Sequence, residues 1–212
     1  MKTVIKHIVV LGMFFGLIFL LSCEKEETLD CDDVQIELDK GTPILTILES
    51  CSVGRLFGKH YQGGLIFYVN SFNGTGLIAA KEDLPRQQWI TNLNYSTTYI
   101  YDSLLFEGDS NTIELVNYFG EGTYAAKVCH DLELDGYSDW YLPSKYEMES
   151  MGQNLNAYGY SQFDSWFYWT STEYIMPNST TTWYACSFSF NYNTHGRAQK
   201  SFDGNIRPVR SF

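Results

Sequence analysis

With 212 residues, 44% of them apolar, the chain can bury one sizeable core, which excludes a wholly disordered protein. Its formal charge of −11 excludes a nucleic-acid partner, because a surface of that sign repels phosphate. The five cysteines include no Cys-x-x-Cys pair, so neither a zinc knuckle nor a thioredoxin-type redox site is encoded.

Residues 1–22 have the plan of a secretory signal. Lys2 and Lys6 form a positive start, and 8–21 is an apolar run short for a bilayer span but right for a signal-peptide core. The run ends Leu20-Leu21-Ser22-Cys23, which resembles the lipobox of bacterial lipoproteins. That resemblance implies lipidation of Cys23 on its thiol and its freed amine, and two or more acyl chains give stable anchoring. Glu24-Lys25-Glu26-Glu27 then resembles the Cys-x-Lys-(Asp/Glu)2 export signal of certain Gram-negative surface lipoproteins, implying display on the outward leaflet of the outer membrane. Without residues 1–22 the chain carries 12 Lys and Arg against 25 Asp and Glu, a charge of −13. The partners expected are therefore the membrane, through the lipid anchor, and a glycan or protein ligand at the cell surface.

Residues 23–41 are acidic and poor in aromatics and read as a tether. Thr42-Pro43 reads as an N-cap with proline in the first helical position, starting a short helical segment over 42–58. The main domain is expected over 59–212. Residues 65–69 form an apolar strand, Asn73-Gly74 a hairpin turn with positive φ at both positions, and 76–81 the returning strand. Trp89 anchors an irregular stretch over 85–101. A helix starts at Asn111 with Ile113 and Val116 on one side, and Ala125, Val128, Cys129 and Leu132 mark the next helical face.

The densest local signal is Gly136–Met151. Gly136, Ser138 and Asp139 open a turn, and Trp140, Tyr141 and Leu142 need a core to enter. Ser144 and Glu147 are spaced as a capping box, and Met148, Met151 and Leu155 share the inner face of the helix that follows. Trp140, Leu142, Ser144 and Glu147 are thus structural. Beyond Tyr158 the chain turns aromatic, with strands expected over 166–172, 182–190 and 206–212 and polar turns over 176–181 and 191–196. Strands first, helices in the middle and strands last make an α+β fold. Of the mature cysteines, Cys31 pairing with Cys51 and Cys129 with Cys186 keeps tether and domain separate and is the expected connectivity among three.

The blocks YQGGLIFYVN (61–70), GTGLIAA (74–80), AAKVCHDLELDGYSDWYLPSKYEM (125–148), YWTSTEY (168–174), WYACSFSF (183–190) and IRPVRSF (206–212) resemble, in order, the domain at the C-terminus of the collagen-like bacterial adhesin Lcl, found also in many envelope lipoproteins. The resemblance covers about Lys59 to the last residue. It implies a C-type-lectin-like fold, with two main helices flanking a small twisted antiparallel sheet and the first and last strands paired. Many relatives carry a cysteine in the final block, where this chain has Pro208, so Cys129 lacks that partner and Cys186 is the substitute. The Glu-Pro-Asn and Trp-Asn-Asp signatures of calcium-dependent lectins are absent, so no calcium-dependent sugar site carries over.

Residues 131–136, DLELDG, have the outline of a calcium loop, but Leu142 stands where the twelfth-position glutamate belongs. Neither HExxH nor GxSxG occurs, and the histidines are isolated, so no catalytic residues, metal or cofactor are expected. Aromatic rings stack on sugars and amides hydrogen-bond their hydroxyls, which selects the loop residues Tyr174, Asn178, Tyr192 and Asn193 as ligand-binding candidates, with Trp169 and Trp183 assigned to the core. The expected function is non-catalytic recognition of a glycan or host-surface ligand. A structural subunit of a surface assembly is the alternative, and an enzyme of the formylglycine-generating type, using Cys129 and Cys186, a third reading.

Overall fold

The computed structural model describes residues 29–91, 97–176, 178 and 182–212. Cys23 and the signal segment lie outside them. Among the described residues the fold is mixed α+β, with two sheets and five α-helices rather than two.

The first sheet grows from an apolar hairpin. Strands β1 (His60–Tyr61), β2 (Gly64–Val69) and β3 (Gly76–Ala79) are consecutive and antiparallel. The connection between β2 and β3 is longer than a two-residue turn, closed by Asn70 N–H to Thr75 O and Gly74 N–H to Asn70 O. Only Gly74 takes positive φ there, at 74°, so the Asn73-Gly74 hairpin forms with different turn chemistry from that expected. The last strand, β9 (Val209–Ser211), pairs with β3 and closes the order β1-β2-β3-β9. The second sheet contains β4 (Leu84–Gln87), β5 (Tyr168–Glu173), β6 (Tyr184–Ser189), β7 (Thr194–Gln199) and β8 (Gly204–Ile206) in the order β4-β8-β5-β6-β7. Only β5 and β8 run parallel.

The N-terminal segment is not a tether throughout. Helix α1 (Val34–Asp39) and helix α2 (Ile44–Ser50) bury Val34, Leu38, Ile44 and Ile47 in one cluster with Ile66, Ile78 and Trp140. Val34 and Leu38 are one helical turn apart, a two-residue apolar stripe. The Cys31–Cys51 disulfide holds the pair of helices together. Pro43 precedes α2 as its cap residue, while Thr42 donates its hydroxyl to Glu37 instead of capping.

Helix α3 (Gly108–Phe119) begins three residues before Asn111 and turns Gly108, Asn111, Thr112 and Leu115 inward. Ile113, one of the apolar pair that marks this helix in the sequence, is 45% exposed. The i, i+3, i+4, i+7 stripe is filled partly by polar side chains, so hydrophobicity alone pointed to the wrong face. Asn111 and Thr112 are satisfied in place: Asn111 donates to Asp102 O and Ser171 Oγ, and Thr112 Oγ1 both donates to Gly108 O and accepts from Leu142 N–H. Helix α4 (Ala125–His130) buries Ala125, Ala126 and Cys129.

Helix α5 (Lys145–Met151) starts on the expected capping box. Ser144 Oγ accepts from Glu147 N–H, and the Glu147 carboxylate accepts from Ser144 N–H. Met148, Met151 and Leu155 are all fully buried, the last on a π-helical turn at Gly152–Asn156. Just before the helix the chain is extended, with Tyr141 bridged to Val209 by reciprocal backbone hydrogen bonds of 2.8 and 3.0 Å. Trp140 enters the cluster of α1, α2, β2 and β3, Tyr141 the cluster of α5 and β2, and Leu142 the cluster of Trp89, α4 and Trp169.

The pairing of Cys129 with Cys186 does not form, and both are buried free thiols. Ala185 shares the cluster of Cys129, so its neighbour on β6, Cys186, points to the opposite face of the strand. The turn expected over 191–196 is shorter, and β7 begins at Thr194. Trp169 is core, but Trp183, expected there too, is 50% exposed just before β6.

Trp140 is 2% exposed and its Nε1 has no acceptor among the described residues. Trp140→Ala should therefore cost about 3–5 kcal/mol of unfolding free energy in urea titrations, the range for emptying a large aromatic site. Trp140→Phe should cost much less, because it also removes the unpaired N–H.

Candidate functional site

The four loop residues selected from sequence do not form one cleft. Tyr174 and Asn178 follow β5, whereas Tyr192 and Asn193 form the turn between β6 and β7. The six residues of β6 run between these ends, which puts the loops roughly 20 Å apart at about 3.3 Å per residue. Asn178 and Asn193 both take left-handed backbone, at φ 63° and 47°, a conformation asparagine tolerates better than most residues. Asn193 Oδ1 lies 2.4 Å from where a side chain on Gly152 would begin, so it fills space at the end of α5. Tyr192 is 77% exposed at the turn tip.

Tyr174 belongs to a more organised surface. Its hydroxyl accepts from Arg197 Nη1 at 2.8 Å, and the Arg197 guanidinium lies 4.9 Å over the Tyr174 ring and 5.3 Å over Tyr184. Strand pairing explains the grouping. Arg197 is opposite Cys186, and Tyr184 is two residues along on the same face of β6. Trp183, half exposed, adjoins the group in sequence. The result is a cation laid over two aromatic rings on the edge strand β7 and its neighbour.

The other basic residues of the C-terminal region, Lys200, Arg207 and Arg210, have buried side chains tied up in ion pairs. Lys200 and Glu173 form an ion pair with both side chains fully buried. Lys200 Nζ also sits 4.6 Å over Trp89, and Glu173 accepts the backbone N–H groups of Thr98 and Tyr99. Burial draws the Lys200 ammonium below its ordinary pKa, against the raising effect of Glu173. Arg207 pairs with Asp83 at 2.6 Å. Arg210 grips both oxygens of Asp139 at 2.6 and 2.8 Å, which holds that carboxyl below the usual carboxylate range. Asp139 therefore fixes the last strand to the 136–142 segment. Among the described residues no group of three or more His, Cys, Asp or Glu side chains converges as a metal site.

A buried acid with a raised pKa is a common mark of acid–base chemistry, and Glu147 has both features. Burial pushes it up to about 7, against the lowering effect of the N–H groups of Ser144, Phe106 and Gly108 and the Tyr141 hydroxyl. Those donors occupy its oxygens: Ser144 N–H at 2.7 Å, Phe106 N–H at 2.7 Å and Tyr141 Oη at 3.3 Å. The carboxyl pins the 106–108 segment to the start of α5. The thiols are equally withdrawn. Burial drives Cys129 far above its ordinary pKa and pushes Cys186 up to about 11.

No known protein family matches the chain, and no curated protein matches it.

Arg197 was visible in the sequence only as one of four basic residues, and its partnership with Tyr174 and Tyr184 depends on the register between β6 and β7. Glu147 yields a pH prediction. The folded protein holds its proton up to about pH 7, whereas the ordinary value is 4.5. Its contribution to stability is complete below 4.5 and is lost as pH rises through 7, on the order of 3 kcal/mol at full extent. Urea titrations across pH 4–8 should show this fall in the native protein and not in Glu147→Gln, whatever the absolute stability of the variant.

Proposed function

We propose that the chain is a lipid-anchored surface protein whose domain recognises a glycan or host-surface ligand without catalysis, and that Tyr174, Tyr184 and Arg197 form the recognising face. The observation that carries this reading is the exposed Arg197 guanidinium held over two tyrosine rings, when the Lys200, Arg207 and Arg210 side chains are each buried and tied up in an ion pair. A fixed cation offers directed hydrogen bonds to ligand oxygens, and the rings beside it supply apolar area at little entropic cost. The enzyme reading lacks support, since two buried thiols on opposite faces of a strand do not make a working cysteine pair.

The return of β9 to the first hairpin, together with the blocks shared with the Lcl C-terminal domain, supports a C-type-lectin-like fold. Lipidation at Cys23 and outer-membrane display rest on the lipobox and the acidic run after it.

Arg197→Ala and Tyr174→Ala remove contacts worth about 0.5–1 kcal/mol each at an exposed site, so both variants should fold. Ligands found for the native domain on a glycan array should bind these variants at least tenfold more weakly. An array without binders, together with unchanged cell adhesion on deletion of the protein, would refute the reading. A stoichiometric protein partner recovered by cross-linking in cells would favour the assembly alternative.

A further inference from the structure

A second site lies away from the Arg197 face, in an open groove of about 530 Å³ between the first sheet and the segment after α5. That volume is in the range of small-molecule sites. One wall is Lys81 and Glu82, which follow β3. The other is Tyr160, Ser161 and Gln162, and His60 and Leu65 also line the groove.

A single buried side chain fixes the distance between the two walls. Arg207 donates Nε–H to Asp83 at 2.6 Å, next to Lys81-Glu82, Nη1–H to Ser161 Oγ at 2.8 Å and Nη2–H to Gln162 O at 2.9 Å. Its guanidinium is also 4.4 Å over Phe163, and Asp83 accepts a further hydrogen bond from Tyr168 Oη. The groove is therefore preorganised, and filling it does not require its walls to move.

The lining chemistry specifies the ligand. Tyr160 is 47% exposed, and its ring lies near-parallel to that of Tyr158, itself 66% exposed, with centres 5.7 Å apart. Gly58 makes this placement possible, because a side chain there would begin 2.5 Å from the Tyr160 ring. Ser161 Oγ accepts from Arg207 and so keeps its own proton to donate outward. Glu82, Gln162 and His60 are exposed and add acceptors and donors. The one lysine and the one glutamate of the lining are opposite in sign and cancel, and Lys81 already lies 3.8 Å from Asp135, so the lining offers no excess positive charge.

We infer that this groove binds a neutral saccharide chain, one pyranose face stacking on Tyr160 and the hydroxyls meeting Ser161, Gln162, Glu82 and Lys81. An aromatic platform beside mixed donors and acceptors suits a polyol, and the cancelled charge disfavours phosphate or uronate. The inference goes beyond the recognition assigned to Arg197, since it concerns a different surface and different residues.

Titration calorimetry of the purified protein with cellohexaose, maltohexaose, mannohexaose and hexagalacturonate tests it, alongside NMR shifts of the 158–162 amides. At least one neutral hexasaccharide should bind and shift those amides. Tyr160→Ala should weaken binding tenfold or more, and Gln162→Ala severalfold. Failure of all three neutral chains, tighter binding of hexagalacturonate, or affinity unchanged in Tyr160→Ala would each overturn it. Binding lost in Arg197→Ala but kept in Tyr160→Ala would sink the groove and leave the Arg197 face standing.

Discussion

Three consecutive side chains, Trp140, Tyr141 and Leu142, enter three different hydrophobic clusters. An extended backbone makes this possible, because Tyr141 points away from the side taken by its neighbours, and those two are far enough apart to reach separate packing layers. All three are nearly or fully buried. The segment therefore couples the N-terminal helices, the α5 helix and the Trp89–Trp169 core through one short stretch of chain. Its backbone is held as firmly, by Val209 on one side and by Thr112 Oγ1 at Leu142 N–H.

The C-terminal third is fastened by charge as well as by apolar burial. Lys200 reaches Glu173, Arg207 reaches Asp83 and Arg210 reaches Asp139. Pairs of this kind contribute little net stability, since desolvation offsets much of their attraction, but losing one partner leaves a stranded buried charge. Their effect here is positional. They set β8 and β9 against earlier parts of the chain, and Arg207 fixes the spacing of the groove walls on the way. Outside this network lie Arg197 among tyrosines and the Tyr158–Tyr160 pair, the surfaces to which ligand binding is proposed.

Local chemistry was legible in the sequence where a few neighbouring residues decide the outcome. The Ser144–Glu147 capping box, the Met148–Met151–Leu155 face and the burial of Trp89, Trp140 and Leu142 follow from short-range spacing. Features set by partners distant in the chain were not legible. Cys129 and Cys186 are close in composition terms to a disulfide, yet the pleat of β6 separates them. Trp183 has the size of a core residue but stands outside β6. Tyr174 and Tyr192 have similar loop chemistry, and only the length of β6 shows that they belong to opposite ends. The α1 helix was hidden because its three apolar residues alternate with polar ones, and only Val34 and Leu38 share the buried face.

The dependence of the whole domain on the 140–142 segment can be measured by native-state hydrogen exchange. The amides of Tyr141, Leu142 and Val209 should exchange only through global unfolding, with an opening free energy equal to that from urea denaturation of the same sample. Exchange of these three amides through a lower-energy opening, while the β5–β6 amides stay protected, would contradict the central place given to that segment.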